Sequence, residues 1–97
     1  MPERKPCVYM LCNKPHGVLY VGVTSDLPTR IWQHRQSEGS TFTKRYNLKR
    51  LVWYEFHDTM EQAIHREKCI KEWKRSWKIE LIESVNPEWN DLYETLL

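Results

Sequence analysis

Two runs, Cys7-Val8-Tyr9-Met10-Leu11-Cys12 and Val18-Leu19-Tyr20-Val21-Gly22-Val23, decide how this chain folds. Both are rich in β-branched and aromatic residues, so both predict short strands. Asn13-Lys14-Pro15-His16-Gly17 lies between them, with the residues and length of a hairpin turn. Strand alternation puts Tyr9 on a face with Leu11, and Tyr20 on a face with Gly22. A glycine inside a strand often marks a close approach of another group. Two tyrosines on neighbouring strands can converge on one site; they can equally be core residues.

Outward from this hairpin the pattern turns helical. Thr24-Ser25-Asp26 offers N-caps and Pro28 suits a first helical turn, so a helix is expected over 27–37, closed by Glu38-Gly39-Ser40. Residues 40–48 read as a loop, and Lys49–Phe56 as a third strand. Asp58 and Glu61 have capping-box spacing, which predicts a second helix from about 59 to 75. Ser76 is expected to cap a helix over 77–84. Asn86-Pro87 reads as the cap and first position of a short terminal helix. The order β-β-α-β-α-α defines an α+β fold: a small three-stranded, mostly antiparallel sheet flanked by helices. One domain over residues 1–97, with a core of about 7–92, suits the length.

Net charge is +2, from 15 basic and 13 acidic residues. The distribution is polarised. Residues 1–50 hold nine bases and three acids, whereas residues 83–97 hold four acids and no base. Such asymmetry can steer a polyanion to one face, or can simply be solvated surface charge. No apolar run has the length of a membrane span, and no secretory signal is visible. Cys7, Cys12 and Cys69 are odd in number and unevenly spaced, which argues for a reducing compartment, hence the cytoplasm, over a disulfide framework. The C-x4-C spacing of Cys7 and Cys12 is a poor match to a zinc site with His16; buried thiols are the simpler reading.

Chemistry concentrates on the helices. Met60, Ala63, Ile64, Ile70, Trp73 and Trp77 form an apolar stripe at helical spacing, and Glu67 falls inside it. A carboxylate there needs an ion-pair partner such as a buried arginine, a bound cation, or an opening onto a cleft. Arg30 and His34, at i and i+4, share one face of the first helix. They can stand beside a cleft, or at the polar margin of an ordinary amphipathic helix.

Taken in order, these residues resemble the GIY-YIG nuclease family, and its small single-domain members most closely. Cys7-Val8-Tyr9 stands for the first triplet and Tyr20-Val21-Gly22 for the second. Val23 to Arg30 resembles the segment leading to the family's helix arginine. His34 lies a turn beyond, and Arg66-Glu67 sits on a helix after a third strand. Asn86 to Leu92 also resembles small members. The first triplet departs from the pattern, with Cys7 and Val8 in place of Gly and Ile. Asn86 is only a candidate for a C-terminal polar residue that some members use.

The resemblance implies phosphodiester cleavage in nucleic acid, DNA more than RNA, with one divalent ion, Mg²⁺ or Mn²⁺. Glu67 would be its sole protein ligand. Tyr9 would be the general base, Arg30 would grip the phosphate, and Tyr20 and His34 would orient water or relay protons, leaving a 5′ phosphate and a 3′ hydroxyl. Arg35, Lys44, Arg45, Lys49 and Arg50 are the expected phosphate contacts, with Phe42 and Tyr46 available for stacking. No appended DNA-reading module is present, so structure selectivity, weak sequence specificity or a protein partner is expected, with a role in DNA repair or recombination. The alternative is a non-catalytic nucleic-acid-binding or interaction module, with a partner surface around Trp32, Trp89 and Tyr93.

Overall fold

The computed structural model describes residues 5–36 and 44–96. Strands β1 (Cys7–Cys12) and β2 (Leu19–Thr24) form the expected hairpin, and β3 (Arg50–Phe56) pairs with the other edge of β1. The sheet order is β2-β1-β3 and both pairings are antiparallel. Helix α1 (Leu27–Arg35) follows β2, and α2 (Met60–Glu72) and α3 (Arg75–Val85) follow β3. This is the β-β-α-β-α-α order of an α+β fold.

Strand β1 is buried along its whole length because both its faces are covered. Val8, Met10 and Cys12 face one way and pack with Val21, Ala63, Ile70, Ile82 and Trp89 beneath α2 and α3. Cys7, Tyr9 and Leu11 face the other way and pack with Leu27 and Ile31 of α1 and with Leu48 and Leu51. The helices therefore form two layers on opposite sides of a thin sheet. The β1–β3 register shifts between Met10 and Leu11, an irregularity of the kind that re-aims side chains.

The helix ends show where local signals were overruled. Asp26 caps α1, accepting from the Thr29 amide and hydroxyl. The helix ends at Arg35, and the expected stop at Glu38-Gly39-Ser40 lies outside the described residues. The cap of α2 is Thr59, which accepts from the Gln62 amide at 3.2 Å; the Asp58/Glu61 box does not form. The α2 helix ends at Glu72, because Trp73 takes an extended backbone conformation. Ser76 is not a cap: it lies in the first turn of α3, whose N-cap Lys74 makes no side-chain capping bond.

The expected terminal helix from Asn86-Pro87 is replaced by a latch. Asn86 closes the C-terminus of α3, and its buried amide bonds the Val52 carbonyl of β3 at 3.0 Å. The same amide exchanges two bonds with the Asn90 backbone. Pro87 and the residues after it then run irregularly to a single 3₁₀ turn over Tyr93–Leu96, which packs on α1. Losing a buried amide that satisfies three backbone groups costs several hydrogen bonds at once. Asn86→Ala is expected to lower stability by about 3 kcal/mol, measured by urea denaturation.

Candidate active site

The site grows from the β1–β2 pairing. Tyr9 lies opposite Gly22, and Leu11 opposite Tyr20, so both tyrosines are presented on the α1 face of the sheet. A Cβ at position 22 would stand 2.5 Å from both Cζ and Oη of Tyr9 and 2.9 Å from Cε1 of Tyr20. Only glycine leaves the Tyr9 ring room to lie across β2. The close approach expected at Gly22 is thus made by the Tyr9 side chain.

Helix α1 completes the cluster. Its apolar residues Leu27 and Ile31 anchor it to the sheet, which turns His34 inward and leaves Arg30 at the margin. His34 Nε2 lies 3.1 Å from Tyr9 Oη. The three rings form a triangle with centroid separations of 6.3 Å for Tyr9–Tyr20, 6.0 Å for Tyr9–His34 and 5.9 Å for Tyr20–His34. Tyr9 is 1% exposed and His34 3% exposed, whereas Tyr20 is half-buried. Arg30 donates to Gln33 Oε1 at 3.2 Å, a contact the sequence analysis missed although its i, i+3 spacing was legible.

Burial sets the protonation states. It pushes the Tyr9 phenol up to about 12, with Arg30 opposing through a hydrogen bond and its charge. It lowers the His34 imidazole to about 4, and the nearby Arg30 charge adds to that effect. At neutral pH the pair is a protonated phenol facing a neutral imidazole. The ring tautomer decides which of the two donates in the hydrogen bond, and burial keeps the imidazole neutral.

The His34 shift has a consequence for stability. The folded pKa lies below the ordinary value near 6.5, so the unfolded chain binds this proton first on acidification. Stability is unaffected by His34 above about pH 6.5 and falls as the pH drops through that value towards 4. Denaturant melts of His34→Gln should lose about 2 kcal/mol less than wild type between pH 7 and pH 4.5.

Glu67 belongs to the other layer. Ala63 and Ile70, four residues before and three after it, are buried against the sheet, as the stripe predicted; Ile64 and Trp77 are instead exposed. Helix α2 lies over β1 and the edge strand β2 on the face opposite Tyr20 and Gly22. Glu67 and the tyrosines therefore sit on opposite faces of the sheet. The Glu67 side chain is 13% exposed and pairs with Lys71 Nζ at 3.1 Å. Its partner is a lysine one turn on, not a buried arginine. Arg66 pairs instead with Glu55 of β3 at 3.0 Å.

The five expected phosphate contacts divide into two groups. Arg35, Lys49 and Arg50 line one polar cleft of about 200 Å³ with Asn13, Asn47 and Asp91. Two of these cations also have structural duties. Arg35 is ion-paired with Asp91 and stacked over Tyr93 at 4.4 Å, and Arg50 donates to the Trp89 carbonyl at 3.0 Å. Lys44 and Arg45 are exposed, the latter over the Tyr46 ring at 5.6 Å. Phe42 lies outside the described residues. The partner surface expected around Trp32, Trp89 and Tyr93 does not exist as such. Trp32 is 50% exposed, but Trp89 is core and Tyr93 lies under Arg35. Among the described residues no helix is long and apolar enough to cross a membrane.

A tyrosine pair on a hairpin, an Arg/His helix beside it and a carboxylate on a later helix define a GIY-YIG catalytic domain, whose family model matches residues 5–80. The chain belongs to the GIY-YIG family, a family of nucleases. It is 38% identical over 66 residues to the UPF0213 protein SSP2268 of Staphylococcus saprophyticus, covering 68% of this chain and 80% of that relative. It is 34% identical over 67 residues to the UPF0213 protein SAV0488 of Staphylococcus aureus, covering 69% and 82%. The solution NMR structure of the UPF0213 protein BH0048 from Bacillus halodurans is similar too. The TM-score is 0.56 at 27% identity, over 90% of this chain and 92% of that one.

Proposed function

We propose that this protein is a divalent-metal-dependent endonuclease that hydrolyses phosphodiester bonds in DNA. The observation that carries the reading is the buried Tyr9–His34 hydrogen bond beside Arg30. A phenol held near 12 is a poor base by itself. Bonded to a neutral imidazole, it is held in position for the attacking water. Once ionised, which the Arg30 charge favours, Tyr9 Oη takes a proton from that water while His34 keeps its orientation. Arg30 supplies a fixed positive charge for the phosphate and favours negative charge developing on the phenol oxygen. Tyr20, the more exposed phenol, orients the water at the mouth of the site. A partner-independent binding module has no need of a neutralised imidazole aimed at a phenol.

Among the described residues no three His, Cys, Asp or Glu side chains cluster as a metal cage. The donor set still fits a single hard cation, because Mg²⁺ keeps most of its waters and takes one or two carboxylates. Glu67 is the residue that would hold Mg²⁺ or Mn²⁺, exchanging its pairing with Lys71 for the ion. When bound, such an ion supplies Lewis-acid stabilisation of the leaving 3′ oxygen. Lys44, Arg45 and Lys49 carry the phosphate backbone towards the site, and binding weakens steeply with salt. Repair or recombination of DNA is the proposed setting for this cleavage.

The test is cleavage of plasmid, blunt duplex and flapped DNA by the purified protein, with Mg²⁺, Mn²⁺ or a chelator. Metal-dependent products with 5′ phosphates support the reading. DNA binding without cleavage under any metal would instead leave a non-catalytic module.

A further inference from the structure

The expected contacts crowd the first half of the chain, yet a second basic segment lies elsewhere. Arg66 to Lys78, thirteen residues, holds six bases and two acids. The fold places this segment at the end of α2 and the start of α3. Two indoles stand there. Trp73 and Trp77 meet edge to face at 6.3 Å and 79°. Trp77 is 49% exposed although it is large and apolar. The two rings, with Glu80, Leu81 and Ser84, line an open groove of about 520 Å³, within the range of ligand clefts.

The cations are arranged around these rings. Lys74 Nζ lies 5.4 Å from the Trp77 centroid, and the Arg66 guanidinium 5.2 Å from that of Trp73. Lys78 Nζ lies 3.5 Å from the Lys71 carbonyl, and Lys71 Nζ reaches Glu67. Lys71 thus meets Glu67 through its ammonium and Lys78 through its backbone carbonyl, which ties the end of α2 to the start of α3.

We propose that this shoulder is a landing surface for a single-stranded arm of DNA, with Trp77 as the stacking platform for an unpaired base. Phosphates would lie along Lys71, Lys74 and Lys78. An exposed indole in a cationic frame matches a base with its phosphate. A paired base offers no free face, so an unpaired arm is specified over duplex. Glu80 in the groove can accept from an exocyclic amino group of cytosine or adenine. An amphipathic peptide would use the apolar lining but would leave the cations without partners. The inference rests on the nuclease reading only in taking DNA as the ligand.

The experiment is fluorescence anisotropy in chelator, with a labelled duplex bearing a mixed-sequence single-stranded arm and the matching blunt duplex. Trp77→Ala should weaken binding of the arm-bearing DNA about tenfold or more and leave the blunt duplex unchanged. Trp77→Phe should retain most of the affinity. Lys74→Glu with Lys78→Glu removes two phosphate contacts and should shrink the log–log salt slope by about 1.4. Trp77→Ala is a half-exposed site, and its cleavage of blunt plasmid should match wild type, which shows that the fold is intact. Wild-type affinity of Trp77→Ala for the arm-bearing DNA overturns the inference and leaves the nuclease reading standing. A wild-type protein that binds neither DNA and cuts no plasmid overturns both. Self-association seen by sedimentation and abolished in Trp77→Ala would put a second copy of the chain in the groove, and that also overturns the inference.

Discussion

Glu67→Ala should reduce metal-dependent DNA cleavage by about a thousandfold or more, the largest effect expected of any single substitution in this protein. The magnitude follows from the sparseness of the donor set. Among the described residues no group of three or more His, Cys, Asp or Glu side chains forms a metal cage, so in the proposed site loss of Glu67 is loss of the protein ligand. The fold should survive. Glu67 interacts with Lys71, which is about half exposed, and an i, i+4 pair of this kind contributes only about 0.3–0.5 kcal/mol. Alanine is also the best helix former. Cleavage kinetics should therefore collapse while the thermal midpoint stays within a few degrees of wild type. A second readout is Mn²⁺ binding followed by electron paramagnetic resonance, which should be lost in Glu67→Ala and weakened in Glu67→Gln. Cleavage by Glu67→Ala at the wild-type rate would show that Glu67 is not the metal ligand.

Gly22→Ala is the second large effect, and it arises by sterics instead of charge. The added methyl would overlap the end of the Tyr9 ring, which is buried and packed against Leu27 and Ile31. The ring cannot swing into solvent to escape. Either Tyr9 tilts or the two strands separate, and overpacking of this kind costs about 1–3 kcal/mol. A ring tilt moves Oη, and the 3.1 Å bond to His34 lengthens. Displacing a catalytic group by about 1 Å can cost on the order of a hundredfold in rate. The expected result is a lowered thermal midpoint with cleavage reduced about a hundredfold. A combined Gly22→Ala, Tyr9→Phe variant should regain neither stability nor activity, because Cζ of the ring stands as close to the added methyl as Oη does, at 2.5 Å. Full activity in Gly22→Ala would show that the Tyr9 position is not critical.

Both predictions depend on one architectural fact. The sheet has helices on both sides, and the members of the proposed site are held by different layers. Tyr9 and Tyr20 are fixed by strand register, His34 and Arg30 by α1, and Glu67 by α2. Each layer has its own apolar anchor, so a polar change in one layer should leave the other packed.

Much of this was legible in the residues alone. β-branched and aromatic runs around a turn cluster marked the hairpin, and a similar run marked β3. Period 3.6 placed Glu67 between Ala63 and Ile70 on the inward face of α2, where the structure has it. The i, i+4 spacing of Arg30 and His34 put them on one helix, and Gly22 signalled a close approach. These are local regularities, and a chain's own geometry enforces them wherever it folds.

What the sequence could not decide was which distant groups would meet. Tyr9 and His34 are 25 residues apart, Arg35 and Asp91 are 56 apart, and Asn86 reaches Val52 across 34. The Val52 partner also accounts for the misplaced helix at Asn86-Pro87: a local capping signal lost to one tertiary hydrogen bond and two bonds to the Asn90 backbone. They also explain why Trp89 is core and Trp77 is not, although both read as apolar. Periodicity and propensity are properties of neighbours along the chain and determine the elements and their faces. Ion-pair partners, protonation states and the depth of a buried phenol depend on how those faces stack, which only the packed tertiary structure settles.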